Sequence, residues 1–131
     1  MDQFDKMLAK WQPTALSLFR FITGLLLFQY GVAKLFKFPV LPYFANIPPL
    51  ITTAGTIELV LGALLMIGFF TRIVAFILAG EMAIAYFLGH APQGFWPVLN
   101  QGHPAILFCF IWLYISAAGA GPWSLDAKRG R

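Results

Sequence analysis

The sequence predicts an all-α integral membrane protein, a four-helix bundle with both termini cytoplasmic, and three observations carry that expectation. The chain is 60% hydrophobic and only 11% charged, with a mean hydropathy of +0.77, whereas soluble domains carry about 25% charged residues. Four apolar stretches, at about 13–36, 50–67, 72–89 and 104–119, fill most of its 131 residues, and helices near 20 residues long match a hydrocarbon core about 30 Å thick. Basic residues then set the orientation. Lys6, Lys10, Arg72, Lys128, Arg129 and Arg131 flank one side of these stretches and Lys34 and Lys37 the other, and the side richer in cations faces the cytoplasm. A single four-span domain over 1–131, with a tail at 120–131, follows.

Each element has a local reason. Residues 1–12 are polar with apolar Phe4, Met7, Leu8 and Trp11 at the spacing of one helical face, as in a short interfacial helix. Pro13 suits a first helical position, where its missing N–H costs nothing. The first apolar stretch exceeds 20 residues and contains Arg20, so it reads as a retained span and not a cleaved signal. On it Arg20, Gly24, Leu27, Gly31 and Lys34 fall within about 40° of one direction on a helical wheel, a stripe of cations and glycines that should face protein. Residues 38–49 hold Pro39, Pro42, Pro48 and Pro49 among apolar side chains; they exclude a continuous helix and read as a lid at the outer interface.

The second span presents Ala54, Glu58, Gly62 and Leu65 on one face, and Gly68 is its expected stop. A tight inner turn makes spans two and three antiparallel neighbours, with Thr71 as the expected N-cap of the third. That third span carries Glu81 near its middle and a small-residue seam at Ala75, Ala79 and Ala83. A second outer loop, rich in Gly, Pro and aromatic residues, runs from His90 to His103 before Pro104 opens the fourth span.

The chemistry-bearing set lies inside the membrane. Counting rise from either face puts Glu58 and Glu81 about 12–14 Å deep, and a charged residue near a helix centre costs about 2.5–3.5 kcal/mol unless something offsets it. Arg20 is within reach of either acid, and Arg20 and Lys34 balance Glu58 and Glu81 two against two. Two readings are open: ion pairs that fix helix register, or a polar cavity in which Glu58 and Glu81 are catalytic candidates and Arg20, Lys34, Glu58, Glu81, His90, Asn100 and His103 contact a ligand. No metal site is expected, because two histidines on a Gly- and Pro-rich loop are ordinary interfacial residues. Cys109, the lone cysteine, admits neither an internal disulfide nor a redox pair, which sets aside a disulfide-forming quinone reductase. The Glu/Arg/Asn arrangement of glutathione-transferring membrane enzymes is absent too. Partners are the lipid bilayer and a redox protein or second copy, and nothing points to nucleic acid.

Several spacings together resemble a known family. Arg20, Gly24, Phe28, Gly31 and Lys34, then Glu58, Gly62, Leu65, Gly68, Thr71 and Arg72, are similar to the R…G…F…G..K and E…G..L..G..TR segments of the DoxX family. His90, Pro92, Pro97, Asn100 and Gly102 resemble its H.P…..P..N.G loop, and Gly119, Gly121 and Trp123 to Asp126 its glycine-rich close. One departure stands out: His103 occupies a position where the family often has Glu, so no carboxylate role transfers there. The resemblance implies a multi-pass protein of the bacterial inner membrane, associated with quinone or thiol redox chemistry; no cofactor motif stands in the sequence, so no intrinsic cofactor is expected and a quinone is the candidate ligand. The alternative expectation is a small-solute or proton-coupled transporter, or a non-catalytic scaffold for partner enzymes.

Overall fold

The computed structural model describes residues 2–36, 49–97 and 102–130. The described residues are helical throughout their ordered elements. In order these are α1 (Asp2–Ala9), α2 (Gln12–Phe36), α3 (Pro49–Ile67), α4 (Thr71–Ala85), a π-helical turn (Tyr86–His90), a 3-10 turn (Ala91–Gln93), α5 (His103–Ala118) and α6 (Leu125–Lys128). Three helical stretches, Gln12–Phe36, Pro49–Ile67 and Thr71–Gln93, are long and apolar enough to cross a membrane, and Pro104–Ala118 is a shorter apolar helix. The expected lid residues 38–48, and Asn100 of the second outer loop, lie outside the described residues.

Two compact units make up the chain: Met1–Thr71 with Ala120–Arg131, and Arg72–Gly119. The first is built on contact between α2 and α3. Gly24 and Gly31 on α2, and Gly55 and Gly62 on α3, repeat at seven-residue spacing; Gly24, Gly31 and Gly62 face the opposite backbone, and Gly55 faces the Lys34 and Leu35 side chains. A Cβ on Gly31 would stand 2.6 Å from the Leu59 nitrogen, and one on Gly62 would stand 3.0 Å from that of Phe28. Only hydrogen at these positions permits the approach, and the gain is dispersion contact that apolar lipid cannot supply by a hydrophobic driving force.

Gly68 ends α3 with φ of +71°. Its N–H donates to the Leu65 carbonyl and that of Phe69 to Leu64, the paired bonds of a Schellman stop. The expected cap of the next helix differs. Thr71 opens α4, and the N–H groups of Phe70 and Thr71 donate instead to the two carboxylate oxygens of Asp126, each at 2.8 Å. A residue 55 positions away does the work expected of the local hydroxyl.

Within the second unit Arg72 donates to the carbonyls of Ser116 and Ala117, so the N-terminus of α4 meets the C-terminus of α5. Gly119, with φ of +92°, lies against the same guanidinium. Trp112 is fully buried and stacks on Phe108 one turn earlier, with ring centroids 5.5 Å apart.

Candidate functional site

The polar residues of the first unit fall into two separate constellations. In the first, Lys34 Nζ donates to both oxygens of Glu58, at 2.9 and 3.0 Å. Glu58 is 2% exposed and the Lys34 side chain 15%. Sequence accounts for the geometry: each helix carries glycine three residues before its charged residue, Gly31 before Lys34 and Gly55 before Glu58. A Cβ on Gly55 would stand 2.8 Å from the Lys34 Cβ. Glycine there admits the lysine stem, which carries the ammonium across to α3.

Bidentate pairing of this kind stabilises charge that the apolar surroundings would otherwise reject. Chemically it juxtaposes a three-proton donor with an acceptor. A ligand oxygen that enters beside Lys34 can draw a hydrogen bond from the ammonium while Glu58 holds the compensating charge. Entry is easier on the lysine side, since Glu58 is the more deeply enclosed of the two.

The second constellation corrects the expectation that Arg20 partners an intramembrane acid. Arg20, 3% exposed, donates to the carbonyls of Ala120, Trp123 and Met66, the last two at 3.0 and 3.4 Å. Arg20 lies on the buried stripe of α2, but its long side chain reaches back toward the N-terminal end of the span and meets the tail. Ser17, one turn earlier, accepts from the Trp123 N–H at 3.1 Å, and Gly121 passes so close that a Cβ there would lie 2.4 Å from the Ser17 hydroxyl.

Asp126 completes the clasp. Its backbone N–H donates to the Gly68 carbonyl at 2.9 Å, and its carboxylate caps α4 as described. Burial alone pushes this carboxyl up, but the hydrogen bonds from Thr71 and Phe70 and the charge of Arg129 outweigh it and hold it below its ordinary value. Arg129 lies over the rings of Phe69 and Phe70, 4.8 Å from each centroid. In the sequence Asp126 stands out only as part of the glycine-rich close. The local signal is Ser124, which accepts from the Ala127 N–H at 3.0 Å and caps α6, the short helix that carries Asp126.

The remaining candidates belong to the second unit. Glu81 is half-buried in α4, one turn before the π-helical segment. His90 closes that segment with its ring stacked on Tyr86, centroids 6.3 Å apart. His103 is the first residue of α5. Tyr86, Phe87, Pro92, Phe95, Trp96 and Pro97 border a shallow, mainly apolar hollow of about 490 Å³. Among the described residues, no group of three or more His, Cys, Asp and Glu side chains is placed to hold a metal ion.

The DoxX family model matches residues 15–91, a segment that contains Arg20, Lys34, Glu58, Glu81 and His90. An uncharacterized protein of Haemophilus influenzae is 39% identical over 127 residues, covering 92% of this chain and 95% of its own length. No solved structure matches.

Proposed function

Because the chain belongs to the DoxX family, we propose that it serves as a quinone-linked redox subunit of the bacterial inner membrane, with Lys34 and Glu58 as its proton-handling pair. A quinone accepts two electrons, here from a partner enzyme, and two protons to become the quinol. Lys34 binds the ring carbonyl oxygen as a hydrogen-bond donor and stabilises negative charge that develops on it. Lys34, the more accessible member, gives one proton to the reduced oxygen and is reprotonated from solvent, the second proton reaches the other oxygen from solvent, and Glu58 holds the ammonium in place.

The observation that carries this reading is the asymmetry of the pair: two bonds from Lys34 to an almost completely enclosed Glu58, with the lysine the more accessible partner. A pair serving only helix register has no need of an accessible member. Arg20, engaged with three carbonyls, has no part in the proposed chemistry.

The test is quinone retention and turnover in the purified protein. Wild type should retain a quinone and support its reduction by a co-purified partner, and Glu58→Gln should keep the bundle while losing turnover. Unchanged binding and turnover in both Glu58→Gln and Lys34→Met would remove the pair from the chemistry. Solute flux driven by a pH gradient in proteoliposomes, without quinone binding, would identify a transporter. A stable partner complex with neither property would identify a scaffold.

A further inference from the structure

None of the residues of α1 is buried, yet four of the large apolar side chains at this end, Phe4, Met7, Leu8 and Trp11, recur at the spacing of a single helical face and are about half exposed. The helix is tethered closely. Two residues separate it from Gln12, where α2 begins, and at eight residues it extends about 12 Å, so its stripe stays at the level where α2 leaves the hydrocarbon.

A second element reaches the same level. Ser17 and Arg20 hold Trp123 against α2, and Ser17 lies about 8 Å along the helix from Gln12. Trp123 is itself 62% exposed, close to the 57% of Trp11. Two tryptophans at one end of a span are the side chains suited to a headgroup layer. Around them Lys6, Lys10, Lys128 and Arg129 are exposed. Of the three acids at this end, Asp126 is buried and bonded to backbone N–H groups, leaving Asp2 and Asp5 against four cations.

We propose that α1 and the C-terminal tail together form a membrane-surface clamp that recruits anionic phospholipid to the leaflet at the N-terminal end of α2. The apolar stripe enters the acyl boundary, the tryptophans sit at the headgroups, and Lys10, nearer the stripe, and Lys6, on the polar face, place their charges within a Debye length of the phosphates. A second copy of the chain is a poorer occupant: one face of a two-turn helix is far below the roughly 800 Å² per partner of a stable interface, and the cations would meet their own kind.

Hydrogen–deuterium exchange of the full chain in nanodiscs tests this, with discs of phosphatidylcholine alone compared with discs containing equal phosphatidylglycerol. Amides of α1 should exchange more slowly in the anionic discs, the difference falling about fivefold for each of Lys6→Gln and Lys10→Gln, the factor matching about 1 kcal/mol per cation at an anionic surface. Lys128→Gln with Arg129→Gln should reduce it further, and salt should weaken it. Equal exchange in the two discs would overturn the proposal. So would protection that follows the number of protein copies per disc, which would assign the stripe to self-association. Neither outcome depends on quinone binding at Lys34 and Glu58.

Discussion

Replacing the two members of the buried pair one at a time and together separates charge compensation from packing. Lys34 bonds both Glu58 oxygens, so Lys34→Met leaves a carboxylate 2% exposed without its counter-charge. Breaking a buried pair from one side costs about 3–5 kcal/mol. Glu58→Leu should cost less, about 1–3 kcal/mol, because Lys34 lies two residues from the end of α2 at Phe36 and its long stem can turn outward to the interface. In the double variant no charge remains, and the cost should fall to within about 1 kcal/mol of wild type or reverse sign. Unfolding titrations in mixed detergent, monitored by helix content, measure all four proteins, and a coupling energy of about 3–8 kcal/mol is expected from the cycle. A double variant as unstable as the sum of the singles would refute the reasoning, as would Glu58→Leu costing more than Lys34→Met.

Three further outcomes follow from the same structure. Gly31→Ala drives a methyl to within 2.6–2.9 Å of backbone atoms on α3 and should cost about 1–3 kcal/mol or more by overpacking, whereas Gly80→Ala, with nothing within 4 Å, should be neutral or stabilising in the same melts. Asp126 has its carboxyl held below the ordinary value in the folded state, so its contribution is complete above the unfolded value near about 3.9 and is lost as pH falls through the folded one. Asp126→Asn should remove that acid-limb dependence and cost about 1–3 kcal/mol at neutral pH, read from melting temperature against pH. Arg20→Lys replaces a planar fork spanning three carbonyls with one point donor. Limited proteolysis should then cut the tail near Lys128 several-fold faster, and an unchanged cleavage rate would mean that the clasp does not hold it.

Helix identity was legible because hydropathy and length alone decide it for spanning segments, and Gly68 announced its own turn. The close approach of α2 and α3 was legible too, from glycines sharing a face with charged residues. Partner choice was not. Arg20 and Lys34 share one stripe, so a helical wheel gives both equal claim on Glu58. What separates them is a set of carbonyls at Ala120 and Trp123, 100 and 103 positions later, which have no side-chain signature. Asp126 was hidden for the same reason, because it caps a helix that begins 55 residues before it. The π-helical turn at Tyr86–His90 left no trace in the periodicity of its short stretch.

The clasp also sets an order of events during synthesis. Arg20 enters the membrane with the first span, while two of its three carbonyl partners are made a hundred residues later. At about 5–20 residues per second, its guanidinium waits roughly 5–20 seconds for them. During that interval the nascent first helix needs water, lipid phosphate or the insertion machinery as a substitute. Release of residues 120–126 then lets the arginine close over them, so α2 completes its contacts only after a segment made a hundred residues later.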